Sequence, residues 1–213
     1  MDAAGTETFT ADTFYNCCDI LAAKDSVLHH IIHAHGYPPF WSRTPGFASL
    51  IHIILEQQVS LASALSAYNK LSEKLPKLTP DDFLLLSNEA LRDCYFSRQK
   101  TVYTRHLASC ITSGELNLFS LTHKDNDTIS STLKKVKGIG DWTVNIYLMM
   151  VLHRIDVFPL NDIALISSIK HEYQLLHVLT KEDIQQVSKQ WKPFRTIAAY
   201  LLWHAYLSRR KRQ

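Results

Sequence analysis

The sequence predicts an all-α protein, and three observations carry that prediction. Apolar residues recur at steps of three and four through long segments, helix-start signals precede several of those segments, and no convincing alternating strand of five or more residues appears. The chain has 213 residues, 46% of them hydrophobic, enough for one large domain or two small lobes with a substantial core. Six glycines and seven prolines leave little room for low-complexity linkers, and no repeat of fixed period is visible. Charges interrupt every apolar stretch, which argues against a membrane span.

Residues 1–24 read as a more polar leader with one short helix around Thr13 to Ala23. Early acids and the lack of a basic segment before an apolar run distinguish it from a secretory signal, so an intracellular address is expected. Residues 45–75 follow Pro45 and Gly46 with Phe47, Leu50, Ile51, Ile54, Leu55, Val59, Ala62 and Leu65 at helical spacing, the pattern of one long, kinked amphipathic helix. Thr79-Pro80-Asp81-Asp82 combines a capping hydroxyl, a proline for the first helical position and first-turn acids, and Thr180 with Asp183 makes a similar start. The polar stretch Thr122 to Thr128 is the candidate separation between two helical groups.

The four cysteines, Cys17, Cys18, Cys94 and Cys110, lack the paired short spacings of a metal site and read as reduced structural thiols. His29, His30, His33 and His35 cluster without a carboxylate or cysteine pattern to complete a metal site. A net charge of +3 is modest, but its placement is informative: Lys134, Lys135 and Lys137 precede a glycine turn, and Arg209, Arg210, Lys211 and Arg212 form a basic tail over 209–213.

That glycine turn is the most informative segment. Helical periodicity from Ser131 to Val136 stops at Gly138, and a second helix starts near Asp141. Gly138 and Gly140 can adopt positive φ and turn amide N–H groups outward, while the next helix adds the positive end of its dipole. Such a turn suits one phosphate, with the lysines attracting the backbone without reading sequence. By itself, a G-x-G between helices is more often an ordinary connection. Further on, Val157-Phe-Pro-Leu-Asn-Asp162 leads into the apolar face Ile163, Leu165, Ile166 and Ile169, so Asp162 stands at a helix entrance, where an acid is also a common cap.

The segment Lys137-Gly-Ile-Gly-Asp-Trp-Thr143 resembles the hairpin of the helix-hairpin-helix DNA glycosylases, and Asp162 matches their catalytic aspartate beyond it. The resemblance extends through Phe47–Ala64 and Trp191–Trp203, covering about residues 25–208, with the hairpin at about 131–153. It implies a two-lobed helical bundle that grips damaged double-stranded DNA through Lys137, Gly138, Ile139, Gly140, Asp141 and Thr143. It also implies a flipped base, with Gln57 or Gln58 filling the gap left in the duplex. A monovalent cation, Na+ or K+, is implied at the carbonyls of Lys134, Val136 and Ile139. Trp142 occupies the position of the Schiff-base lysine in family members that also cut the backbone, so the resemblance implies a monofunctional hydrolase.

Within that family the chain is most similar to the 3-methyladenine glycosylase II branch, which implies a base pocket at Trp142 and Trp203 and a preference for 3-methyladenine and 7-methylguanine. Two further pocket positions depart from that branch: Ile146 stands where it carries a pocket tyrosine, and His204 follows Trp203 where a tyrosine is usual. The branch's N-terminal β-rich domain finds no counterpart, and neither does the four-cysteine cluster of related enzymes, so no iron-sulfur cluster or other required cofactor is expected. Trp191 is expected in the core, and Arg195 to serve structure or a phosphate. A monomer is expected, in the bacterial cytoplasm or in a nucleus. Three alternatives stay open, two of them a non-catalytic DNA-binding module and a glycosylase for another damaged base. A protein-interaction domain with a purely structural glycine turn is a third.

Overall fold

The computed structural model describes residues 7–211. Its helices, among the described residues, are α1 (Ala11–Ala22), α2 (Ser26–His35), α3 (Phe47–Glu56), α4 (Leu61–Lys74), α5 (Pro80–Leu85), α6 (Asn88–Asp93), α7 (Arg98–Thr112), α8 (Leu118–Leu121), α9 (Asn126–Leu133), α10 (Asp141–Met150), α11 (Ile163–Glu172), α12 (Lys181–Lys189) and α13 (Arg195–Lys211). The all-α prediction holds: β-type pairing among the described residues is confined to an isolated bridge between Thr8 and Arg154. No helix among them is long and apolar enough to cross a membrane.

The chain condenses into two units, one of residues up to Ser42 together with those from Leu148 onward, the other Arg43–Tyr147. The polar stretch at 122–128 is therefore no boundary. It lies inside the second unit, where Asp125 Oδ1 accepts from Thr128 N at 2.8 Å and caps α9.

In the first unit α13 packs on α11, α2 and α1 and buries Ile197, Ala198, Tyr200, Leu201 and Leu202. Each large apolar side chain withdrawn from water this way contributes about 1.5–3 kcal/mol. The leader joins that core through Phe14, Cys18 and Leu21 of α1. Trp191 is fully buried, as expected, and its Nε1 donates to Asp25 Oδ2 at 2.9 Å. Oδ1 of the same carboxylate caps α2 through Val27 N and Leu28 N, which satisfies a charge that burial would otherwise penalise. In the basic tail, Arg209 pairs with Glu172. Arg212 and Gln213, like residues 1–6, lie outside the described residues.

In the second unit α3 buries Phe47, Leu50, Ile51, Ile53, Ile54 and Leu55 and packs on α4 and α7. The single long helix expected over 45–75 is in fact α3 and α4, broken at Gln57–Ser60. Gln57 leaves the helical region at ψ 122 and Gln58 turns left-handed at φ 57. Two local contacts favour the break. Ser60 Oγ accepts from Ser63 N at 3.1 Å to start α4, and the Lys100 ammonium donates to the Leu55 carbonyl at the end of α3. The apolar spacing continues past the break, but Val59 and Leu65 are exposed, and the buried face of α4 is Ala64, Ala67 and Leu71.

The expected starts at Thr79 and Thr180 both form. Thr79 Oγ1 accepts from Asp82 N, and Thr180 with Asp183 closes a reciprocal capping box. All four cysteines are free and buried, and burial raises each thiol, that of Cys18 up to about 12, which disfavours the thiolate.

Candidate functional site

The first group of residues belongs to the second unit and is built on the turn between α9 and α10. Lys134 caps α9, two tight turns follow through Val136 N to Leu133 O and Ile139 N to Val136 O, and α10 begins when Val144 N reaches Gly140 O. Val136 and Ile139 point into the core, so Ile139 can offer a ligand only its backbone. Gly138 has φ +89, and a Cβ there would lie 2.1 Å from Tyr103 Cγ. Glycine is thus required twice, for its backbone angle and for the approach of the Tyr103 ring. Gly140 departs from expectation: it has no positive φ, and a Cβ on it would meet nothing within 4 Å. It acts instead as the entry residue of α10, where its carbonyl accepts the first helical bond.

Three side chains prop this turn. Tyr103 lies under Gly138, His106 Nδ1 accepts from Lys137 N at 3.1 Å, and Gln57 Nε2 donates both to Gly138 O at 2.9 Å and to Thr143 Oγ1 at 2.8 Å. Two expectations change as a result. Gln57 is turned inward against the hairpin, and Thr143 is 2% exposed with its hydroxyl held by Gln57, so both build the turn rather than face solvent. Gln58 is exposed.

Lys134, Lys135 and Lys137 are exposed, with the Lys134 ammonium paired to Asp141 across the turn. The Lys137 amide is engaged by His106, which leaves the Gly138 and Gly140 amides as the turn's donors for an anion. The Val136 carbonyl accepts the Ile139 amide at 3.1 Å and retains a second lone pair. Trp142 is half-buried and Ile146 buried on α10.

The second group belongs to the first unit. Asp162 caps α11, where its Oδ1 accepts from Leu165 N at 3.0 Å and from Trp203 Nε1 at 3.1 Å. It is 9% exposed, and its neighbour Asn161 is exposed. These two donors hold the carboxylate in one orientation. The loop that carries it is held from α13: Thr196 Oγ1 accepts from Val157 N at 3.1 Å and donates to Arg154 O at 2.6 Å. Arg195 grips Asp156 with Nε to Oδ1 at 2.6 Å and Nη2 to Oδ2 at 3.0 Å, so its role is structural.

Around Trp203 stands an aromatic group the sequence reading missed. Trp41 lies 5.3 Å from Tyr200 and 6.5 Å from Trp203 between ring centroids, and Tyr200 lies 6.0 Å from Trp203. Tyr200, three residues before Trp203 on one helix, was recoverable from helical spacing; Trp41, in a proline-bounded loop, carried no such signal. His204 turns away to His35 O at 3.0 Å.

Comparison with known proteins matches residues 51–193 to the model of the HhH-GPD superfamily base excision DNA repair proteins. A putative DNA-3-methyladenine glycosylase of Bacillus subtilis, YfjP, is 37% identical over 126 residues, covering 59% of this chain and 44% of its own length. The alkylbase DNA glycosidase-like protein mag2 of Schizosaccharomyces pombe is 28% identical over 174 residues, covering 78% of this chain and 81% of its own. Among solved structures, the S. pombe 3-methyladenine DNA glycosylase Mag1 in complex with abasic DNA superposes with a TM-score of 0.82 at 26% identity, covering 88% of this chain and 95% of that one. The chain thus spans less than half of the Bacillus protein and nearly all of the solved Mag1 chain.

Proposed function

The chain belongs to the HhH-GPD superfamily of base excision DNA repair proteins, and on that premise we propose that it is a monofunctional DNA glycosylase hydrolysing the N-glycosidic bond of alkylated purines, 3-methyladenine and 7-methylguanine among them. The observation that carries this reading is Asp162: a carboxylate withdrawn from water and fixed by Leu165 N and Trp203 Nε1 beside an aromatic group.

As the base leaves, positive charge develops on the sugar, and a carboxylate held in one orientation stabilises it without reorganising. The same carboxylate orients the water that attacks the anomeric carbon. N3- or N7-methylation makes the purine cationic and weakens its bond to the sugar, and an aromatic face such as that of Trp203 attracts such a base with about 1 kcal/mol per contact. With tryptophan at 142 in place of a lysine, the family's Schiff-base route has no nucleophile there, which supports hydrolysis without strand cleavage.

The hairpin of the second unit serves the other half of the task. The amides of Gly138 and Gly140 and the N-terminal end of α10 bind one backbone phosphate, with Lys135 and Lys137 adding attraction to DNA of any sequence. The carbonyls of Lys134, Val136 and Ile139 are neutral oxygen donors of the kind that suits Na+ or K+; bound there, such an ion would add positive charge near the phosphate. Gln58, exposed on a left-handed corner, fills the gap left in the duplex. The protein acts as a monomer wherever the cell keeps its DNA.

The test is release of bases from duplex DNA treated with a methylating agent, comparing the wild type with Asp162→Asn. Asparagine keeps an acceptor for Leu165 N and is itself a good cap, so the variant is expected to fold with stability within about 1 kcal/mol of the wild type. Loss of 3-methyladenine release in that folded variant supports the reading. A wild type that binds DNA and releases nothing refutes it.

A further inference from the structure

Gln57 and Gln58 are adjacent but do opposite things. The Gln57 amide is half-buried and spends both of its N–H groups on the hairpin, one on Gly138 O at 2.9 Å and one on Thr143 Oγ1 at 2.8 Å. Gln58 is exposed and stands at φ 57, a backbone angle that side-chain-bearing residues seldom adopt. A single peptide bond therefore joins the side chain that holds the phosphate-binding turn to the one that projects from the corner between α3 and α4. The other two props of the turn, Tyr103 and His106, both come from α7, so Gln57 alone of the three ties it to the segment bearing Gln58.

We infer that Gln57 is a positioning residue that couples the hairpin's hold on the DNA backbone to the insertion of Gln58 into the duplex. The inference rests on the function proposed above. Its physical content is that Gly138 is left-handed and wedged against the Tyr103 ring, so the turn has little freedom of its own. A displacement of residues 57–58 by an opened base step is passed through the Gln57 amide to the Gly138 carbonyl, and so to the amides on either side of it. Phosphate grip and gap filling then succeed or fail together, and the protein holds tightest to DNA that lacks a stacked base.

The experiment is a double-mutant cycle read by fluorescence anisotropy on two duplexes of one sequence, one intact and one carrying a tetrahydrofuran abasic analogue. Gln57→Met keeps the side chain's length and removes both donors. It is expected to weaken binding of the abasic duplex about tenfold more than binding of the intact one, and Gln58→Ala is expected to do the same. The double variant is expected to lose no more than either single one. Thr143→Ala, which removes one of the two acceptors, should move the preference in the same direction and serves if Gln57→Met unfolds. Equal losses on both duplexes, or losses that multiply in the double variant, would make Gln57 a structural prop and overturn the coupling. A wild type with no preference for the abasic duplex refutes the glycosylase reading and the coupling with it; a wild-type preference untouched by Gln57→Met overturns the coupling alone.

Discussion

Replacing Gly138 by alanine tests the hairpin at its tightest point. An L-residue at φ +89 costs about 1–2 kcal/mol in backbone sterics alone. The new Cβ would also lie 2.1, 2.3 and 2.5 Å from Cγ, Cδ2 and Cδ1 of Tyr103, where carbon atoms normally rest about 3.5–4.0 Å apart. Moving the ring would also disturb the hydrogen bond that its hydroxyl accepts from Gln99 Nε2 at 2.6 Å. Relieving that overlap should cost a further 1–3 kcal/mol or so, for a total of about 2–5 kcal/mol. Urea unfolding followed by tryptophan fluorescence measures the loss, and adding Tyr103→Ala should cancel part of the steric share while leaving the backbone share. Gly140→Ala is the control, since that position is sterically open and has no positive φ, and its change should stay within about 0.5 kcal/mol. A Gly138→Ala protein as stable as the wild type, or one indifferent to Tyr103→Ala, would refute the account of the turn.

Two further outcomes follow from particular contacts. Trp203→Phe removes the indole N–H from Asp162 Oδ1 but leaves the Leu165 cap; hydrogen bonds to charged groups contribute about 1.5–3 kcal/mol, so kcat for base release should fall roughly ten- to a hundredfold. An unchanged kcat would show that this bond does not orient the carboxylate. His52 and His153 are held below the ordinary imidazole value of 6.5, His52 by burial and the Arg43 guanidinium against a smaller opposing pull from Glu56, His153 by burial. Above pH 6.5 both are neutral whether folded or not; below it the unfolded chain takes up protons that the folded one resists. Stability should therefore decline from pH 6.5 downward until the folded imidazoles themselves protonate, and His52→Gln should flatten that slope in urea titrations between pH 8 and 5. An identical slope in the variant would remove His52 from the account.

The sequence by itself determined several helix starts and the glycine turn, because the signals for both act within a few residues. Thr79 before Pro80, Thr180 three residues before Asp183, the left-handed Gly138 in the turn after α9 and the acid that opens α11 are all local decisions of backbone angle and capping. Where local signals balanced, the reading slipped: the spacing of three and four ran unbroken through Val59, and only the Gln58 corner and the Ser60 cap divided it. What the tertiary structure alone decided is the use of each side chain. Gln57 meets partners 81 and 86 residues away, and Trp203 meets Asp162 across 41. An amide or indole N–H is satisfied equally well by water, so nothing in its neighbours along the chain says which acceptor it will find. That choice is made when the burial of α3 and α13 brings distant segments together and leaves water out.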